Sequence, residues 1–234
     1  MRSCGAGCSR RTASGFRWAR YGIRWSGWGC GLKKSAHATE QERPDVQAER
    51  EAWREAQPKL DGTALVFLDE TWLSTNMARR YGRCAKGERL TAHIPYGHWK
   101  TSTFLAGLCQ DRLIAPLVLD GPIDGDSFRA YVEQFLAPAL RPDQIVVMDN
   151  LSSHKVAGVR EAIEAVGAHV LYLPRYSPDL NPIEQLFAKL KALLRKTAAR
   201  TVEALWIAVA HIIDDLPAQQ CQNFFANAGY PRSI

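Results

Sequence analysis

Apolar residues in this chain fall into short runs cut by charges and turn residues, and the way each run is cut predicts an element. "TALVFLDE" (63–70) and "QIVVMDN" (144–150) are continuous apolar stretches closing on acids, the pattern of buried strands. "RLTAHIPY" (89–96), "TSTFLAGLC" (101–109), "RLIAPLVLD" (112–120) and "AHVLYLP" (168–174) read as further strands. The breaks at Gly87, Gly97 and Gln110–Asp111 are short, so the early strands should form an antiparallel meander. Between and after the strands the period changes to that of a helix. "TEQERPDVQAEREAWREAQ" (39–57) places Val46, Arg50, Trp53 and Ala56 on one face, and residues 126–137 repeat apolar positions at Phe128, Tyr131, Val132 and Phe135. Val156, Val159, Ile163 and Val166 mark a helix near 155–166, and "TVEALWIAVAHIIDDL" and "PAQQCQNFFANAG" close the chain as two more.

Strands first, then strand and helix in alternation, predicts an α/β layer fold: a mixed sheet flanked by helices, with additional C-terminal helices. The crossover into "QIVVMDN" makes that strand parallel to an earlier one, and "TALVFLDE" is its expected neighbour. Ligands in such sheets bind at the carboxyl ends of neighbouring central strands, which is where Asp69 and Asp149 fall.

The stretch "YSPDLNPIEQLFAKLK" (176–191) reads as a helix start, with Asn181 as the capping side chain, Pro182 in the first turn and Glu184 placed to reach back to the cap. Ile183, Leu186, Phe187, Leu190 and Leu194 form its apolar stripe, while Glu184, Ala188, Lys191 and Arg195 line an adjacent face. A carboxylate therefore stands at one end of that face and cations further along it.

Composition changes this picture in one respect. The net charge of +6 suggests nucleic acid, but residues 1–34 hold eight basic residues and no acidic ones, leaving 22 basic against 24 acidic in the remainder. The body is slightly acidic, so any contact it makes with a phosphate backbone uses local patches. The first 34 residues are rich in Gly, Arg, Ser and Trp without a lasting period, and are expected to be a disordered basic arm in which Trp18, Trp25 and Trp28 could stack on bases. Residues 35–60 are read as a linker and leading helix, and 61–234 as the domain built on the strands. Six scattered cysteines lack a CxxC pair, which predicts reduced thiols; Cys4, Cys8 and Cys30 with His37 are too irregularly spaced to argue for zinc. No apolar run is long enough to span a bilayer and no signal-peptide core follows the N-terminal arginines, so a cytoplasmic protein without a membrane partner is expected.

Taken singly, Asp69 and Asp149 are more simply loop-starting residues than catalytic ones. Two of them at adjacent strand ends, with Glu184 at a helix start after the next strand, form a cluster whose mutual repulsion calls for a cation. Mg²⁺ suits such a set, because it binds carboxylate oxygens and keeps positions for water and substrate phosphates. A pair of such ions supports in-line displacement at phosphorus. The chain has no GxSxG, Walker A or HExxH motif that would indicate other chemistry.

"FLDETW" (67–72), "YGRCAKGERL" (81–90), "GHWKTSTFLAGL" (97–108), "VVMDNLSSHK" (146–155) and "LPRYSPDLNPIEQLFAKLK" (173–191) closely resemble the catalytic domain of IS630-type insertion-sequence transposases, relatives of the Tc1/mariner group within the DDE superfamily. The similarity runs from about residue 34 to the C-terminus, and the 34 residues between Asp149 and Glu184 match the family's spacing. The resemblance implies a ribonuclease H-like fold in which Asp69, Asp149 and Glu184 hold two Mg²⁺ or Mn²⁺ ions. It further implies hydrolysis of a phosphodiester at transposon ends, then attack of the freed 3′-hydroxyl on target DNA at a TA dinucleotide, by an enzyme acting as a homodimer.

Around these motifs, Asn150 and His154 are candidates to position a water, a phosphate or the loop itself, with a plain loop-to-helix role as the simpler reading of His154. Lys100, Lys155 and Arg175 lie beside motifs and join Lys191 and Arg195 as candidate DNA contacts, while Trp72 and Trp99 are expected in core or hinge packing. The front of the chain departs from the family, whose members carry a helix-turn-helix domain that residues 1–34 do not resemble. A truncated copy, or a second reading frame completed by frameshifting or by a separate helix-turn-helix chain, is therefore expected. The competing expectation is an idle remnant that binds DNA or a partner without cutting.

Overall fold

The computed structural model describes residues 38–94 and 97–231, so the expectations for the basic arm, its tryptophans and the Cys4, Cys8, Cys30 and His37 group lie outside the described residues. From Ala38 onward the chain forms one compact unit. A short 3₁₀ turn (Thr39–Glu42) leads into α1 (Pro44–Ala56), which starts with proline in its first turn, where a missing N–H costs nothing. Five strands follow: β1 (Leu65–Ser74), β2 (Thr101–Leu108), β3 (Leu113–Asp120), β4 (Ile145–Met148) and β5 (His169–Tyr172). They form one mixed sheet in the order β3-β2-β1-β4-β5. The first three make the expected antiparallel meander, and β4 lies parallel to β1 with Phe67 opposite Val147.

The expected strand at "RLTAHIPY" is absent: the described residues between β1 and β2 form no strand, and Leu90 and Ile94 are exposed. The reason lies in β1, which runs on to Ser74 and pairs there with Thr101, so the whole edge of β2 is already taken. The helix expected near 155–166 is divided into a 3₁₀ turn (Ser152–Lys155) and α4 (Val159–Glu164). Gly158 separates them with φ of 97°, a left-handed conformation that glycine adopts at no steric cost.

On one face of the sheet α2 (Gly125–Tyr131), a π-helical turn (Val132–Leu136), α3 (Ala137–Ala139) and α4 cover Val66, Leu68, Leu105, Val146 and Met148. Asp124 caps α2 by accepting from Ser127 N at 2.8 Å. On the other face α5 (Pro182–Thr197), α6 (Val202–Asp214) and α7 (Ala218–Asn227) cover Leu65, Phe67, Phe104 and Val147. The predicted stripe of α5, from Ile183 to Leu194, is buried throughout. Each such side chain contributes about 1.5–3 kcal/mol, against about 1 kcal/mol for a good cap, so the stripe rather than the cap fixes α5 on the sheet. No described helix is long and apolar enough to cross a membrane, and the described cysteines Cys84, Cys109 and Cys221 are free.

Candidate active site

Strand register sets the geometry of the site. Phe67 and Val147 are partners across the parallel pair and both face the α5 side, so two residues further on Asp69 and Asp149 arrive level with each other on that same side. Asp69 still pairs with Ala106 of β2 and is 7% exposed, whereas Asp149 has just left the end of β4. Glu184 comes from the first turn of α5. All three line a cleft of about 360 Å³, whose wall continues through Asn150, Pro174, Tyr176, Ser177 and Asn181.

The electrostatics of this cleft are those of crowded carboxylates that repel one another. Burial, followed by the charges of Asp149, Glu70 and Glu184, pushes the Asp69 carboxyl well above the usual range. Burial also raises Glu184, with Asp149 adding to it and Lys191 opposing it. Asp69 Oδ1 accepts from Glu70 N at 2.8 Å, and Asp149 Oδ1 from Leu151 N at 3.1 Å. Oxygen-rich, mutually repelling donors are the set that a hard divalent cation binds. Among the described residues no three His, Cys, Asp or Glu side chains converge closely enough to hold an ion as they lie. The donors therefore fit such an ion in chemistry while standing apart around the cleft.

His154 is fully buried between two acids. Its Nε2 lies 2.8 Å from Glu70 Oε2 and its Nδ1 makes a 2.7 Å ion-pair contact with Asp149 Oδ1. Burial would lower its pKa, but Asp149 and Glu70 together push it up to about 10. An imidazolium has an N–H on both nitrogens: Nε2 is hydrogen-bonded to Glu70, whereas Nδ1, close to Asp149 Oδ1 but outside hydrogen-bond geometry, is held there by charge. The ring also stacks on Phe128 at 4.5 Å, which fixes its plane. Glu70 was not singled out in the sequence, because its partner lies 84 residues away.

The start of α5 departs from the sequence expectation. Asn181 occupies the capping position but makes no side-chain cap bond, and no hydrogen bond returns from Glu184 to its backbone N–H, which instead donates to Pro178 O. The Asn181 side chain donates to Asp69 Oδ2 at 2.8 Å. Glu184 is thereby released from capping and stands in the cleft wall.

The loop ahead of α5 is held from outside by α1. Arg50, buried on the apolar face of that helix, donates to Asp179 Oδ1 and Oδ2 at 2.9 and 2.7 Å and to Ser177 Oγ at 2.7 Å. Gln41 Nε2 donates to Tyr176 O at 2.6 Å. Tyr176 itself has φ of 55°, a strained value for a side chain of its size, and these bonds offset the cost.

The candidate DNA contacts separate into groups. Arg175 lines the cleft but is paired with Asp45 at 2.9 Å and Glu49 at 2.8 Å. Lys155 bonds to Asn150 Oδ1 and lies over the Tyr172 ring. Lys191 sits 4.8 Å above the ring of Trp72, and Arg195 and Trp72 line a second hollow beside β1. Lys100 is exposed just before β2. Trp72 and Trp99, expected in packing, are instead 60% and 58% exposed: Trp72 carries Lys191 over its ring, and Trp99 lies in the stretch before β2.

Comparison with known proteins identifies the fold and the family of the chain. A chain from the crystal structure of the Mos1 mariner paired end complex with Mn superposes with a TM-score of 0.73 at 20% identity, over 87% of this chain and 65% of that one. The Mos1 strand transfer complex gives 0.68 at 20% identity, over 87% and 64%. The catalytic domain of Mos1 mariner transposase alone gives 0.60 at 15% identity, over 84% and 92%. The chain thus spans about two thirds of the transposase in those complexes, and shares the ribonuclease H-like fold of its catalytic domain. No curated protein matches the sequence. The family model described as DDE superfamily endonuclease matches residues 64–206, which takes in Asp69, Asp149 and Glu184, and the chain belongs to that family.

Proposed function

We propose that this chain is the catalytic domain of a DNA transposase of the IS630 and Tc1/mariner kind. It hydrolyses a phosphodiester at transposon ends and transfers the resulting 3′-hydroxyl into target DNA, with TA as the target dinucleotide. One observation carries the reading: Asp69 within β1 and Asp149 just past the end of β4 each stand two residues beyond the paired Phe67 and Val147 of neighbouring parallel strands, and Glu184 completes the wall of the same cleft.

Asp69, Asp149 and Glu184 would hold two Mg²⁺ or Mn²⁺ ions, which when bound activate the attacking oxygen and neutralise the leaving one. Asp69 is fixed between Glu70 N and Asn181, and Asp149 is oriented by Leu151 N and His154. Glu70 and His154 act behind the acids, one holding the other in place. Lys191 and Arg195, seven and eleven positions beyond Glu184 on one helix, carry the phosphate backbone away from the acids, with Lys100 and Lys155 as further contacts. Arg175 supports the cleft wall through Asp45 and Glu49, and Asn150 orients the loop through Lys155. The donor set, the family match and the mariner structures described with Mn and Mg support this assignment. The partners proposed are transposon-end and target DNA, a second copy of the chain, and a helix-turn-helix module supplied in the same or a separate chain.

The test is Mg²⁺- or Mn²⁺-dependent nicking of DNA carrying the element's ends, compared with Asp149→Ala. Nicking should vanish in the variant. Nicking that survives it, or no cleavage with Mn²⁺ even when the helix-turn-helix module is supplied, would overturn the proposal in favour of a contaminating nuclease or an idle remnant.

A further inference from the structure

Asn181 stands where a helix wants a cap and does not cap it. Its side chain is 3% exposed and turns away from the free N–H groups of α5 to donate Nδ2–H to Asp69 Oδ2. The other end of the same amide, Oδ1, is buried and has no hydrogen-bond partner among the described residues. Asn181 lines the cleft that holds Asp69, Asp149 and Glu184. A residue that forgoes its cap bond and also leaves a buried oxygen unpaired carries two local costs, and something in the working site must offset them.

The chemistry of the amide explains why it is suited there. An ionised carboxylate only accepts, so a donor is needed to fix Asp69 Oδ2. A lysine or arginine would compete with a divalent ion, and a further carboxylate would add to the repulsion among Asp69, Glu70, Asp149 and Glu184. An amide donates to Asp69 without charge and offers a neutral oxygen beside it. Hard cations accept such amide oxygens alongside carboxylates and water.

We propose that Asn181 is a positioning residue for Asp69, its nitrogen fixing the carboxylate while its unpartnered oxygen faces the divalent-ion site as a neutral donor to the ion or its water shell. The inference rests on the metal-dependent reading above. Asn181 also ties Asp69 of β1 to the start of the helix that carries Glu184, its side chain donating to Asp69 and its carbonyl accepting from Glu184 N.

The experiment measures Mn²⁺ binding to the full chain by electron paramagnetic resonance of free Mn²⁺, with thermal melting in parallel, for wild type, Asn181→Ala and Asn181→Ser. Serine is a good helix cap but its side chain is one bond shorter than asparagine's donor. Asn181→Ala should weaken Mn²⁺ binding about 10- to 100-fold, the usual effect of losing a group that orients a ligand. Asn181→Ser should recover the melting temperature while leaving Mn²⁺ binding weak. Binding by Asn181→Ala equal to wild type, or recovery of both properties in Asn181→Ser, would overturn the inference and leave Asn181 a structural residue. A folded wild type that binds no Mn²⁺ would overturn the metal-dependent reading itself, and the inference with it.

Discussion

Arg50 on α1 and Asp179 in the loop ahead of α5 are joined by two parallel bonds of 2.9 and 2.7 Å, so the helix that precedes the sheet holds the segment that presents Glu184. Burial would raise the Asp179 carboxyl, but the hydrogen bonds and charge of Arg50 outweigh it and hold it below the usual value of 3.8. A depressed folded-state pKa contributes stability that is fully present above the unfolded value and is lost as pH falls through the folded one. Asp179→Asn should therefore flatten the acid side of the stability profile below about pH 5, as measured by urea denaturation. Arg50→Ala should cost about 2–3 kcal/mol near neutral pH, less than a fully buried pair because Asp179 is 41% exposed. An acid limb unchanged in Asp179→Asn would show that the pair does not support the fold.

His154 is expected to matter for catalysis through the two acids it touches. His154→Phe preserves a ring to stack on Phe128 but removes both N–H groups, leaving Glu70 and Asp149 without the cation between them. Nicking should fall about 10- to 100-fold and stability by about 2–4 kcal/mol. His154→Gln, which can still donate to one acid, should recover part of the rate. Equal rates in wild type and His154→Phe would reduce the residue to the loop-to-helix role that its sequence position first suggests.

Why some of this site was legible in the sequence and some was not follows from distance along the chain. Asp69 and Asp149 announce themselves because each closes a continuous apolar run, and strand pairing converts that position into a common level in the sheet. The stripe of α5 is equally local, a matter of period alone. Glu70, Arg50 and the true partner of Asn181 were hidden because their roles depend on partners 84, 129 and 112 residues away. The capping reading of Asn181 failed for a related reason: local chemistry offered it the N–H groups of α5, and a buried carboxylate from β1 was the stronger attraction. "RLTAHIPY" was misread because alternation alone does not supply a sheet edge to pair with.

Glu184 offers a separation of structure from chemistry. Its side chain makes no hydrogen bond to another described residue, and burial with the charge of Asp149 raises its pKa. A carboxylate with a raised folded-state pKa loses stability as pH rises through that value, so replacing it by a neutral isostere should not weaken the metal-free fold. Glu184→Gln is therefore expected to melt at or slightly above the wild-type temperature without metal. Mg²⁺ at about 100 times its dissociation constant should stabilise the wild type by about 2.7 kcal/mol and the variant far less. Calorimetry with and without Mg²⁺ reads both effects, and equal stabilisation of the two proteins would remove Glu184 from the proposed ion site.

The cations should divide by their partners. Lys191 and Arg195 flank the exposed Trp72 ring, and Lys191 already loses hydration there, since burial lowers its pKa. Release of counterions from DNA makes affinity fall with salt in proportion to the phosphates neutralised. Lys191→Ala and Arg195→Ala should each weaken binding uniformly across sequences and reduce the slope of log affinity against log salt by about one. Arg175 is occupied by Asp45 and Glu49, so Arg175→Ala should leave that slope nearly unchanged and instead loosen the cleft wall, seen as faster proteolysis between β5 and α5. Fluorescence titrations with duplex DNA at several salt concentrations would test this, and a slope that drops for Arg175→Ala but not for Lys191→Ala would reverse the assignment of the two residues.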